Sequence, residues 1–207
     1  NFKYLDEILT GIYERGDRKT TTAKQLETQL TREKDEAARI REVLKAAGLN
    51  ASAYQDTVRE VYRHMVTLLP HETLLLAARE ISRTKKSQSL DKLEELAEAW
   101  SEKGLKTPDE VETYLAQVKE QNAFLRDLFT LMRWGKITTP KDRETLAKWR
   151  DTWGFGDDVI QKTAEFAAGK NAPMAFTDKI LSSYHKEGIK TVEAAMADHE
   201  KHVEKYQ

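Results

Sequence analysis

Phe176, Ile180 and Tyr184 recur four residues apart, with Lys179, Lys186 and Lys190 set among and after them. On a helix, positions i, i+4 and i+8 fall on one stripe that drifts by about 80° overall, and residues seven apart share nearly one face. Aromatic rings beside cations are what single-stranded nucleic acid binding uses. Bases stack on rings for roughly 1–3 kcal/mol each, and cations at the backbone release counterions. The competing reading makes the stripe the buried face of an ordinary amphipathic helix and the lysines a solvated surface. A second basic cluster, Lys136, Lys141, Arg143, Lys148 and Arg150, lies nearby in sequence and either extends a groove or is simple surface.

Other chemistry is poorly supported. His199 and His202 flank Glu200, but a zinc-protease helix needs histidines four apart and a third ligand, and these are three apart. "GFGDD" at 154–158 lacks the lysine and preceding strand of a phosphate loop. With 35 carboxylates in the chain, no carboxylate pair is informative. Absence of cysteine excludes a disulfide framework, a catalytic thiol and cysteine-ligated zinc. The expectation is therefore no catalytic residue, no metal, no cofactor and no enzyme activity.

The elements that must carry the stripe are helical. Apolar residues recur three or four apart nearly throughout, and no stretch keeps the alternation of a half-buried strand. Helices are expected at 3–15, 21–47, after a Ser52 cap, after Pro70, from Ser89 to Gly104, from Thr107 to Gly135, and at 140–151, 156–168, 176–187 and 191–206. Thr107 and Glu110 in "TPDE" have the spacing of a capping box with proline at the first helical position, and Thr139-Pro140 repeats that start. The chain has 207 residues, 39% hydrophobic and 33% charged, so it is a globular all-α chain. Its net charge of −1 restricts any attraction to nucleic acid or membrane to local clusters. No apolar run reaches the roughly 18 residues of a membrane span, and no leader opens the sequence, so a cytoplasmic location is expected. Asn1 falls inside a helical pattern, which points to upstream sequence.

The stops and starts repeat. Thr20 to Gly48 and Thr107 to Gly135 both span 28 positions, and the starts at Ser52 and Thr139 differ by 87, as do Thr20 and Thr107. "GLKT" at 104–107 returns as "GIKT" at 188–191, with Trp100 matching Tyr184. Residues 1–20 match 173–191, with Tyr4, Ile8, Ile12 and Gly16 on Phe176, Ile180, Tyr184 and Gly188. Three regions follow: 1–20 as the end of a preceding unit, 21–106 as a full unit, and 107–207 as a second unit with a trailing helix. The repeated corner has a local logic. Gly188 supplies a left-handed stop, Ile189 packs back, and Thr191 caps the next helix. Lys190, matched by Lys106 and Arg18, is not required by the corner, although a cation there complements the helix dipole.

Residues 131–195, with their Thr-Pro start, "WRDTWGF" turn, apolar helix, aromatic-x-x-x-Ile-x-x-x-aromatic stripe and closing "GIKT", resemble the C-terminal domain shared by the DnaD and DnaB primosomal proteins of low-GC Gram-positive bacteria and their phages. Residues 50–107 resemble it more faintly, and 1–20 resemble its last third. The family hallmark is Tyr-x-x-x-Ile-x-x-x-Trp. The three regions carry Tyr4, Ile8 and Ile12, then Lys92, Leu96 and Trp100, then Phe176, Ile180 and Tyr184. The resemblance implies tandem DnaD-like helical domains that assist helicase loading in replication initiation. It also implies binding of single- and possibly double-stranded DNA, contact with other primosome proteins, and self-association. Charge singles out the last copy: Lys179, Lys186 and Lys190 correspond to Glu95, Glu102 and Lys106, and to Glu7, Glu14 and Arg18. Phe176, Lys179, Ile180, Tyr184, Lys186 and Lys190 are thus the candidate DNA contacts. The alternative is a protein-interaction or self-assembly scaffold that has lost DNA contact, favoured by the near-neutral charge and the glutamates of the earlier copies.

Overall fold

Local signals place most helix boundaries in the computed structural model, which describes Thr10 and residues 23–53, 55–83 and 88–204. The helices are α1 (Ala23–Ala47), α2 (Asp56–Leu68), α3 (His71–Arg83), α4 (Leu90–Glu102), α5 (Pro108–Leu131), α6 (Pro140–Ala147), α7 (Asp157–Phe166), α8 (Pro173–Glu187) and α9 (Val192–Glu204). A π-helical turn, Lys148–Thr152, continues α6, and no strand occurs among the described residues. The fold is all-α, as expected. Apart from Thr10, the expected partial unit at 1–20 lies outside the described residues, as does Thr20.

The chain forms two compact units, Asn1–Glu112 and Thr113–Gln207, and the boundary falls within α5. In unit 1, α1 packs on α3, and α2 and α3 both pack on α4. Ile40, Val43, Leu44 and Ala47 of α1 meet a core that includes Met65, Leu74, Ala77, Leu93 and Trp100. The charged first half of α1 stays largely outside, because its apolar positions are sparse. Glu36 ties α1 to α2 through Arg63 Nε at 2.6 Å and Arg59 at 3.1 Å. The Arg63 hydrogen bond leads in holding the Glu36 carboxyl below its ordinary value, burial opposes it, and Arg59 adds to the lowering.

Unit 2 has a single core. Leu125, Leu128 and Met132 from α5 and its end meet Leu146 and Trp149, Val159 and Ile160 of α7, Leu181 and Tyr184 of α8, and Ala195 of α9. Trp149 is fully buried, and its indole N–H donates to Asp178 at 2.7 Å, so the one polar atom of the ring is satisfied. The Thr139 start is a reciprocal capping box with Asp142, and Lys136 reaches the same carboxylate at 2.9 Å. Burial pushes the Asp142 carboxyl up, but hydrogen bonds from Thr139 and Lys136 outweigh it and the net shift is downward.

Helix ends differ from expectation at the start of α2 and the close of α5, as well as at the start of α8. Ser52 does not cap α2, which begins at Asp56 with Gln55 in the N-cap position. Helix α5 stops at Leu131 rather than running to Gly135, and the residue in left-handed conformation is Arg133, φ 55°. Its closing bonds, Trp134 N–H to Phe129 O and Arg133 N–H to Thr130 O, form the Schellman pattern that Gly48 and Leu49 form at the end of α1. The structural counterpart of Gly48 is therefore Arg133. Buried Phe129 and Met132 on one side and half-buried Trp134 on the other hold the chain in that turn despite the Cβ.

Candidate functional site

Helix α8 starts at Pro173, three residues before the expected 176, with proline pre-set for a first helical turn. Its inward face is Met174, Thr177, Leu181 and Tyr184, spaced three or four apart. The candidate stripe of Phe176, Ile180 and Tyr184 therefore does not share one exposure. Phe176 is half-buried with Lys170 Nζ 5.4 Å from its ring centre. Ile180 is half-buried against the core. Tyr184 is 1% exposed, and its hydroxyl donates to the Ala195 carbonyl at 3.0 Å. Burial, with Asp198 and Glu187 nearby, pushes its phenol up to about 12. A ring so enclosed has no face to offer a base, which removes Tyr184 from the expected contact set.

The lysines divide as well. Lys179 and Lys186 are exposed and carry no ion pair among the described residues. Lys190 instead closes the corner: its ammonium donates to the Trp153 carbonyl and lies 4.0 Å from the Phe155 ring centre. The corner itself is as expected, with Gly188 at φ 74°, Ile189 N–H bonded to Tyr184 O, and Thr191 Oγ1 accepting from Ala194 N–H. The space beside Gly188 is open, so backbone conformation alone requires glycine there.

Most of the second basic cluster is spent on the fold. Lys136 pairs with Asp142, and Arg143 donates to Asn122. Lys148 pairs with Asp178 at 2.5 Å, and Arg150 holds Glu120 and Asp157. Lys141 remains exposed. Sequence reading passed over Trp153 and His185, whose rings stack with centroids 5.6 Å apart and planes 16° apart. Trp153 is half-buried, His185 is exposed, and Lys148 lies 4.5 Å from the Trp153 ring centre. The exposed basic groups of α8 are thus Lys179, His185 and Lys186, with His185 stacked on Trp153.

The remaining motifs are structural. His199 stacks on Phe166 at 3.8 Å, and His202 contacts Asp198, so the α9 histidines do not converge on one point. In "GFGDD", Gly156 is the N-cap of α7, Asp157 accepts from Arg150, and Asp158 accepts from the Val159 N–H. No described helix is long and apolar enough to cross a membrane.

Residues 130–199 match the protein family described as replication initiation and membrane attachment. No curated protein and no solved structure matches the chain. The matched segment runs from the end of α5 through most of α9 and holds most of the unit 2 core, apart from Phe124, Leu125, Leu128 and Phe129 of α5. The match supports a DnaD-like replication initiation and membrane attachment domain over residues 130–199.

Proposed function

We propose that the protein is a non-enzymatic DNA-binding factor of replication initiation, of primosome type. It assists helicase loading and contacts single-stranded or double-stranded DNA through the exposed face of α8. The domain match supports the replication-initiation role. The observation that carries the DNA reading is the pair Lys179 and Lys186: seven residues apart on one face of a helix within that domain, exposed and unspent, while Lys136, Lys148, Arg150 and Lys190 beside them are committed to the fold. His185, exposed on the same helix and stacked on Trp153, offers the flat surface that Tyr184 does not. Phe176 and Ile180 contribute only their outer edges.

Tandem DnaD-like units, 21–106 and 107–207, belong to the same proposal. Trp100 and Tyr184 are both buried and both give their carbonyl to the residue after the corner glycine. Lys106, like Lys190, donates to a backbone carbonyl near the end of an earlier helix, that of Leu68 at 2.8 Å.

Fluorescence anisotropy of the full chain with single-stranded and duplex oligonucleotides, at two salt concentrations, tests the reading. Binding at low salt is expected, and the Lys179→Glu/Lys186→Glu variant should weaken it at least tenfold. Neutralising two phosphates contributes about 1.4 to the log–log salt slope for single strands, so the variant's slope should be shallower by more than that. Absence of binding at low salt, or equal binding by the variant, favours a scaffold that binds proteins or itself. The glutamates of α4 at 95 and 102 already favour that second role for unit 1.

A further inference from the structure

Away from α8, unit 1 brings His64 of α2 beside Glu94 and Glu98 of α4. The two glutamates are one turn apart on one helical face, and α2 packs directly on α4. One ligand atom from each of the three side chains lies within 4.8 Å of the others. His64 Nδ1 and Glu94 Oε1 are already 2.8 Å apart, with their side chains 49% and 27% exposed. The Glu98 carboxylate has no hydrogen bond or ion pair among the described residues. Helix α4 holds five carboxylates, Asp91, Glu94, Glu95, Glu98 and Glu102, against one lysine, and that lysine, Lys92, pairs with Glu95. Two other carboxylates of unit 1 meet arginines: Glu36 has two and Glu80 has Arg83. The surplus negative charge therefore sits where an imidazole nitrogen also faces.

We propose that His64, Glu94 and Glu98 form a site for a divalent transition-metal ion, with Zn2+ the best match. One imidazole and two carboxylates suit Zn2+, whereas Ca2+ and Mg2+ take oxygen ligands. Bond lengths of about 2.0–2.2 Å around a tetrahedral ion separate ligand atoms by roughly 3.3–3.6 Å, within reach of the observed cluster by side-chain rotation alone. Three protein ligands leave the remaining position to water. Two of the ligands come from α4 and one from α2, so the ion would clip these helices together. The site is independent of the DNA reading, which rests on unit 2.

Titration of the full chain with ZnCl2 by isothermal calorimetry tests it, using the wild type, His64→Gln, Glu98→Gln, and His199→Gln/His202→Gln. One saturable site is expected. His64→Gln and Glu98→Gln should each weaken it by at least the roughly 10–100-fold that loss of an outer-shell partner costs. The α9 double variant should bind as wild type, and a tenfold excess of Mg2+ should not displace Zn2+. Thermal melts without metal verify that each variant folds, as substitution at exposed His64 and Glu98 permits; having two separate ligand variants keeps the test decisive. No saturable uptake, uptake unchanged in both ligand variants, or uptake lost only in the α9 variant overturns the proposal.

Discussion

The corner between α4 and α5 and the corner between α8 and α9 are built alike and dressed differently. Each has a left-handed glycine with open space beside it, Gly104 at φ 75° and Gly188 at φ 74°. Each has a buried aromatic four residues earlier, Trp100 or Tyr184, and a lysine two residues later that donates to a distant backbone carbonyl. The helix surface just before the corner is what differs. Glu95 and Glu102 stand on α4, with Lys92 spent on Glu95, while α8 presents exposed Lys179 and Lys186. Residues that make the corner answer to folding, and the residues on the outer face are free to answer to a partner. Lysine itself divides on this line: Lys190 belongs to the corner, Lys186 to the face.

The comparison breaks most readily at the aromatics. Trp100→Ala and Tyr184→Ala should each destabilise by about 3–5 kcal/mol, the range for large buried aromatics, measured as a shift in urea midpoint. If only one of the two does so, the corners are not equivalent in energy. Next come the glycines. Gly104→Ala and Gly188→Ala should cost about 1–2 kcal/mol each, from left-handed backbone alone, since neither new methyl meets an atom. A smaller effect, about 1 kcal/mol, is expected for Lys106→Met, which loses exposed bonds to the Leu68 carbonyl and Ser101 Oγ, and for Lys190→Met, which loses the Trp153 carbonyl and the Phe155 ring. Neither Lys106→Met nor Lys190→Met should abolish the proposed DNA binding, whereas Lys186→Glu should reduce it.

The most gradual test is pH. The folded-state values of Glu36 in unit 1 and Asp142 in unit 2 are both lowered. Each contributes stability that is present above its unfolded value and lost as pH falls through the folded value. Thermal melts between neutral pH and about pH 3 should therefore fall for the wild type, and Glu36→Gln and Asp142→Asn should each flatten the decline. An unaltered slope in either variant would mean that the carboxylate is no better held in the folded chain than in the unfolded one.

What the sequence made legible was local. Thr139 with Asp142, Thr107 with Glu110 and the glycines at 104 and 188 act within a few residues, and the structure forms each as spacing implied. The α5 end was misread because Gly135 is the usual stop, while tertiary packing around Phe129 and Met132 holds Arg133 left-handed instead. The α8 stripe divides between core and margin for a geometric reason. An i, i+4, i+8 series drifts across the helix, and the face that enters the core follows 174, 177, 181 and 184, taking Tyr184 with it and leaving Phe176 and Ile180 at the margin. Trp153 against His185, and Trp149 against Asp178, join residues about thirty positions apart, a distance that no periodicity encodes.

The burial of Trp100 and Trp149 has an optical consequence. The chain has four tryptophans; Trp100 alone belongs to unit 1, while Trp134, Trp149 and Trp153 belong to unit 2. Replacing the three in unit 2 by phenylalanine would leave an emitter that senses only the melting of unit 1. Trp153, stacked on His185 at the α8 surface, would report on that surface, while the enclosed Trp149 reports on the core.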